Sequence, residues 1–239
     1  MNTSPIVYAL IAASANVLGA VAVTSRARWS MRALDAMVAL SAGFMIAVSL
    51  GELLPEAIER QGRTAALFAL AGYLLVHLTQ HTFARHFHFG EETHEVTSSV
   101  SASALVGLLL HTFFDGVAIA SGFSVSPSLG FLVFMAILLH KLPEGLAISS
   151  LFLAAGAGRR AALGAATALG VATVVGVLLT GYLTGLRDMG LAVAAGVTLY
   201  VAASNLVPEF QAKLGWRMPV SFFAGCGLYF AARAMVALP

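Results

Sequence analysis

Long apolar blocks recur along this chain and constrain its fold more than any other feature. Only 10% of the 239 residues are charged and the mean hydropathy is +0.89, whereas a soluble domain carries about 25% charged residues. The sequence therefore predicts an all-α polytopic membrane protein with a single transmembrane domain over 1–239. Eight blocks are long enough to cross about 30 Å of hydrocarbon as helices, at roughly 6–23, 33–54, 65–83, 100–123, 129–153, 161–183, 191–207 and 220–238.

The basic residues of the connections predict the orientation. One set of connections holds Arg26, Arg28, Arg32, Arg85, Arg159, Arg160, Lys213 and Arg217, and the other holds Arg60, Arg63, Arg187 and Arg233. Because cytoplasmic loops are enriched in Lys and Arg, we expect a multi-pass protein of the cell inner (plasma) membrane with both termini outside. The start lacks the cationic region of a secretory signal, so the first block is expected to remain as a helix. The basic residues form no stripe, and no nucleic-acid partner is expected.

Two hexapeptides place ionisable side chains inside these apolar blocks. Block four contains HTFFDG (111–116), and block five contains HKLPEG (140–145). In each, a histidine and a carboxylate stand at i and i+4, so His111 and Asp115 share one helical face, as do His140 and Glu144. Charges in a membrane helix cost several kcal/mol and mark functional sites. Each pair alone could be an intrahelical hydrogen bond or a proton relay.

Two such faces opposed across a helix contact would supply four N/O ligands, the number that zinc prefers. Gly116 and Gly145 would permit close approach of the helices. Pro143 lacks an N–H group, which frees the carbonyl of Leu139 beside the ligands. The two pairs together favour a site for a divalent metal ion.

These hexapeptides, together with AGFMIAVSLGELLPEA (42–57) in block two, resemble the ZIP (Zrt/Irt-like protein) family of divalent metal transporters, of the prokaryotic type. The resemblance implies eight spans in a 3+2+3 inverted repeat, with outside termini and elevator-like movement of the central helices. It also implies that His111, Asp115, His140 and Glu144 are the transport ligands and that Met45 can contribute a thioether.

The chain departs from family members that hold two adjacent metals. Those members place Asn where this chain has Thr112 and an acidic residue where it has Lys141, and block six offers no carboxylate. We therefore expect a mononuclear site in which the Lys141 ammonium replaces the second cation and pairs with Glu144 or Asp115. The alternative is a lysine that snorkels toward the interface.

Further polar residues are candidates for the transport path. Asn205 and Glu209 fall where relatives carry release-path ligands, and Glu52 and Glu56 could attract cations to the entrance, although all but Asn205 could equally be ordinary surface carboxylates. The connection from His86 to His94 resembles the histidine-bearing loop of the family, and a solvated loop is the alternative. His77 and His81 are expected to be packing or interfacial residues.

The expected function is secondary transport of Zn²⁺, or of Cd²⁺, Fe²⁺ or Mn²⁺, toward the cytoplasm by alternating access. A membrane-embedded zinc hydrolase and a metal sensor are the alternatives. The expected partners are the divalent ion and the lipid bilayer, and a homodimer is left open.

Overall fold

The computed structural model describes residues 5–25, 31–82, 98–211 and 215–236, and within these ranges the backbone is almost wholly helical. In chain order the helices are α1 (Pro5–Thr24), α2 (Met31–Val48), α3 (Leu54–Gln61), α4 (Thr64–Thr82), α5 (Ser98–Val125), α6 (Pro127–Ala154), α7 (Arg159–Tyr182), α8 (Thr184–Tyr200), α9 (Val207–Gln211) and α10 (Arg217–Val236). The prediction of an all-helical protein is confirmed.

Six helical stretches of the described residues are long and apolar enough to cross a membrane. They are Pro5–Thr24, Asp35–Gln61, Ser101–Val125, Pro127–Ala154, Arg159–Tyr182 and Met189–Leu206. The other two predicted blocks form α4 and α10. The apolar part of α4, Thr64–Gln80, is shorter, and α10 carries Arg217 and Arg233.

Two π-helical turns, Ser49–Leu53 and Val201–Leu206, join α2 to α3 and α8 to α9 without a break. In both cases a proline, Pro55 or Pro208, is the second residue of the helix that follows. A proline clashes with the carbonyl of the residue four positions earlier, and that residue, Gly51 or Ser204, lies inside the π turn. The wider turn accommodates the proline without ending the helix.

The helices form two groups. Bundle A consists of α1, α5, α6 and α7, which pack against one another. Bundle B consists of α2, α4, α8 and α10, together with α3, α9 and the π turns. The bundles meet mainly where α5 packs on α8 and where α6 packs on α2.

Reciprocal glycine contacts hold the helices of each bundle together. At four crossings, a glycine of each helix lies directly against the main chain of the other, so that an added Cβ at either position would collide with a carbonyl oxygen. This close approach increases van der Waals contact between the helices. Such contact matters in a membrane because lipid is as apolar as the helix surfaces, so the hydrophobic effect does not drive the helices together. The pairs are Gly19 and Gly145 (α1–α6), Gly116 and Gly176 (α5–α7), Gly43 and Gly225 (α2–α10), and Gly72 and Gly196 (α4–α8).

A single residue, Ser126, joins α5 to α6. Its backbone is extended, and its side-chain oxygen accepts a hydrogen bond from the Leu129 N–H (3.1 Å), which caps α6. Pro127 at the first helical position fits the same start. The two helices that carry the hexapeptides are therefore a hairpin with almost no loop.

Candidate metal site

The two histidines lie at the centres of the hairpin helices. His111 is the fourteenth of the 28 residues of α5, and His140 is the fourteenth of the 28 residues of α6. Both rings are buried, as are the carboxylates of Asp115 and Glu144. The predicted i, i+4 geometry thus places four ionisable side chains deep inside the molecule.

Three donor groups converge. His111 Nε2 lies 3.4 Å from Asp115 Oδ2, and His140 Nε2 lies 3.2 Å from the same oxygen. One candidate ligand atom from each of these residues lies within 4.8 Å of the others. Imidazole nitrogens and a carboxylate oxygen at this separation match the ligand types of a divalent transition metal.

The hydrogen bonds around the rings favour a metal-binding form of His140. Its Nδ1 lies 3.0 Å from the Ala136 carbonyl oxygen, which can only accept, so Nδ1 carries the proton and donates. A ring protonated at Nδ1 alone would direct the lone pair of Nε2 toward Asp115 Oδ2, and a cation between these two acceptors would bind both. His111 Nδ1 and Glu144 Oε1 are buried without a hydrogen-bond partner.

Lys141 connects the two carboxylates. Its Nζ lies 2.7 Å from Asp115 Oδ2 and 2.7 Å from Glu144 Oε2, and the side chain is fully buried. Buried charges are tolerated when they are paired. Glu144 therefore joins the three-donor cluster through the Lys141 ammonium.

Two residues that the sequence analysis did not single out support α6 beside the ligands. Asn16 of α1 is fully buried and reaches both Glu144 and the main chain of Lys141. The Ser41 hydroxyl of α2 lies 2.9 Å from the Leu139 carbonyl oxygen, the group that Pro143 leaves free, and 2.7 Å from the Met37 carbonyl oxygen. A lone amide in the apolar block of α1 was the available signal for Asn16.

Three further residues named in the sequence analysis are packed within the helices. Met45 is fully buried in α2, one turn beyond Ser41. The Thr112 hydroxyl donates within α5 to the Leu108 carbonyl oxygen. His77 packs its ring against Tyr200, with the ring centroids 5.7 Å apart.

The two predicted entrance carboxylates are each paired with an arginine. Glu52 accepts from the Tyr229 hydroxyl (2.9 Å) and from Arg233 Nε (2.7 Å). Glu56 accepts from Arg60 Nε at 2.6 Å. The Glu209 side chain and the segment from His86 to His94 lie outside the described residues.

A cavity adjoins the site on one side. His111, His140 and Glu144 line it together with Gln80 of α4 and Asn205 of the second π turn. Gln80 lies two residues before α4 ends, and Asn205 lies two residues before the short helix α9 begins. The cavity therefore lies toward the end of the molecule where α1, α4, α6 and α9 end. We call this the basic end, because the connections there carry most of the Lys and Arg residues.

Apolar helices around a buried cluster of two histidines and a carboxylate indicate a membrane protein with an internal candidate site for a metal ion. The family model described as "ZIP Zinc transporter" matches residues 84–231, more than half of the chain and including both hexapeptides. The chain belongs to the ZIP zinc transporter family, whose members are transporters of zinc and related divalent metals and not enzymes. A search of curated proteins found no match.

Proposed function

We propose that this protein is a secondary transporter that moves Zn²⁺, or a related divalent transition metal, toward the cytoplasm. The ion would bind His111, Asp115, His140 and Glu144, with Met45 as a further ligand from α2. The observation that carries the proposal is the convergence of two imidazoles and a carboxylate on one point at the centres of α5 and α6.

The charge balance supports a site for one ion. Two carboxylates and one ammonium give the cluster a formal charge of minus one when both histidines are neutral. The Lys141 ammonium contacts both carboxylates, so it fills the position where a second cation would bridge them. A second divalent ion there would be repelled by the ammonium.

The helix contacts support the 3+2+3 inverted repeat. Each principal helix contact becomes itself or another observed contact when the helices are exchanged in pairs. The exchanged pairs are α1 and α7, α2 and α8, α4 and α10, and α5 and α6. The α1–α6 crossing becomes α7–α5, and the α2–α10 crossing becomes α8–α4, each with its own glycine pair. The two π turns also exchange, which favours eight spans in one domain built from two inverted halves.

The position of the cavity supports release toward the cytoplasm. The positive-inside rule assigns the basic end to the cytoplasm, and both termini then lie outside the inner (plasma) membrane. An ion leaving the site would pass Asn205 and, further along, the position of Glu209. The arginine pairs of Glu52 and Glu56 weaken the case for these carboxylates as collectors of cations.

The two bundles supply a route for alternating access. The transport ligands of α5 and α6 belong to bundle A, whereas Met45 and Asn205 belong to bundle B. Movement of bundle A against bundle B would carry the ion between the two sides. One chain holds the whole site, so a homodimer is compatible with the proposal but not required by it.

Zinc uptake into proteoliposomes tests the proposal. We expect saturable uptake by the unaltered protein and loss of at least about tenfold in a His111→Ala, His140→Ala double variant, because two of the converging donors are gone. His77→Ala, which removes a histidine outside the site, is the matched control and should retain uptake.

Stoichiometric zinc binding without uptake, abolished in the double variant, would contradict transport and favour a sensor. Uptake that survives in the double variant would show that the ion crosses elsewhere.

A further inference from the structure

Asn16 is a polar side chain in a helix that is otherwise apolar on its buried face. The buried residues of α1 are Ala9, Ala12, Ala15, Asn16, Gly19 and Ala20. An amide with no partner in such an environment costs several kcal/mol. Its presence in the middle of α1 therefore calls for partners of matching chemistry.

The partners of Asn16 are on α6. Its amide nitrogen lies 3.3 Å from Glu144 Oε2 and 2.5 Å from the Lys141 carbonyl oxygen when the NH₂ group points toward α6. The opposite orientation would place the amide oxygen against two acceptors, so the network fixes the orientation. The glycine pair Gly19 and Gly145 brings the two helices close enough for this contact.

These contacts leave the two oxygens of Glu144 unequal. Oε2 accepts from Lys141 Nζ at 2.7 Å and from the Asn16 amide, whereas Oε1 is buried without a partner, and Glu144 lines the cavity. Two donors on one oxygen, from two different helices, restrict rotation of the carboxylate. The group is held with one free oxygen.

We propose that Asn16 is a positioning residue that fixes Glu144 as a one-oxygen ligand and thereby favours zinc over larger divalent ions. A ligand that offers one oxygen keeps the coordination number low, as the tetrahedral preference of Zn²⁺ requires. A carboxylate free to rotate can bind through both oxygens, which suits larger ions with more ligands. This inference rests on the proposed function, because it assigns Glu144 to the transport site.

A role limited to helix packing would give a different result. The loss of a packing contact lowers stability and changes the behaviour toward all ions alike. The loss of a positioning contact changes the ratio of affinities for two ions of different size. The ratio for Zn²⁺ and Cd²⁺ is therefore the quantity to measure.

The experiment compares the unaltered protein with Asn16→Leu, which keeps the branched shape of the side chain and removes the amide. Equilibrium binding of Zn²⁺ and of Cd²⁺ to the purified full chain is measured by calorimetry, and uptake of both ions is measured in proteoliposomes. We expect the zinc Kd and KM to rise about tenfold, as for other partners of metal ligands. The cadmium values should change less than threefold and the maximal rates about twofold or less. Ser14→Ala is the control, because Ser14 donates only to the Ile11 carbonyl oxygen of its own helix.

An unchanged ratio of zinc to cadmium affinity in Asn16→Leu would overturn the inference, even if thermal stability fell. Asn16→Ala provides the same test if the leucine variant does not insert. Binding of both ions without uptake by the unaltered protein would contradict the proposed function, and the Kd ratio would still decide the role of Asn16. Binding of neither ion would overturn both.

Discussion

The buried ammonium of Lys141 has a cost that its two carboxylate contacts must offset. Breaking a buried ion pair by removing one partner costs about 3–5 kcal/mol. Lys141 Nζ lies equally close to Asp115 Oδ2 and Glu144 Oε2, so its positive charge offsets the negative charge of both carboxylates. Under the proposed one-ion site, this resident cation would limit how many metal ions the cluster accepts.

Replacement of Lys141 tests this limit. We expect the unaltered protein to bind one zinc equivalent per chain and Lys141→Asp to bind two. The substitution makes the formal charge of the cluster more negative by two and adds a third carboxylate. Lys141→Met, which removes the charge without adding a ligand, should still bind one equivalent. Equilibrium dialysis with metal analysis measures the stoichiometry, and a single equivalent in Lys141→Asp would contradict the charge-substitution account.

The sequence predicted which candidate ligands share a helical face, but it did not single out Asn16 and Ser41, which contact α6 from other helices. The i, i+4 spacing was sufficient to pair His111 with Asp115, because helical periodicity fixes which side chains share a face. The contacts of Asn16 and Ser41 with α6 depend on which helices are neighbours and at what height. Hydropathy does not encode that information in a chain that is apolar on every side.

At the scale of helices, two glycines of α7 allow the close helix contacts to be tested within a single helix. Gly176 and Gly164 both lie in α7, but an added Cβ at Gly176 would meet the Phe113 carbonyl oxygen, whereas at Gly164 it would meet open space. We expect Gly176→Ala to destabilise the protein by about 1–3 kcal/mol, as overpacking does. Gly164→Ala should be neutral or slightly stabilising, because alanine is the better helix former.

Thermal unfolding of the two detergent-solubilised variants, followed by size-exclusion chromatography, measures the difference. Equal unfolding temperatures would contradict the close α5–α7 contact. Each apolar block overlaps a helix, since long apolar blocks identify helices directly, but most of α3 and the first turns of α8 lie outside blocks two and seven. The π turns were not predicted, because the Pro-Glu pairs that follow them, at 55–56 and 208–209, also occur at 143–144 inside the regular helix α6.

At the scale of the whole molecule, the interface between the bundles differs from the crossings within them. At the α5–α8 contact, Gly190 faces the side chains of Ser121 and Val117 and not a main-chain carbonyl. An added Cβ on Gly190 would lie 3.8 Å from the Ser121 Cβ, which is about the mean separation in a disulfide. The two positions can therefore be used to link the bundles.

We expect a Ser121→Cys, Gly190→Cys variant to lose most of its zinc uptake, at least about fivefold, when oxidised and to recover it on reduction. The bond would prevent movement of bundle A against bundle B. The experiment uses a Cys226→Ser background, because Cys226 is the only native cysteine. Each single-cysteine variant under the same oxidant is a control. Full uptake by a completely cross-linked protein would refute relative movement of the bundles.

The nearly loopless hairpin of α5 and α6 has a thermodynamic consequence. In the proposed transport cycle, the four ligands of α5 and α6 would move as one piece, because Ser126 is the whole connection between the two helices. Their part of the coordination shell would stay the same on both faces of the membrane, and the Met45 contact from bundle B would be the part that changes. The hairpin itself would supply no energy to the ion, so net flux would follow the electrochemical gradient, and uphill accumulation would draw its energy from elsewhere.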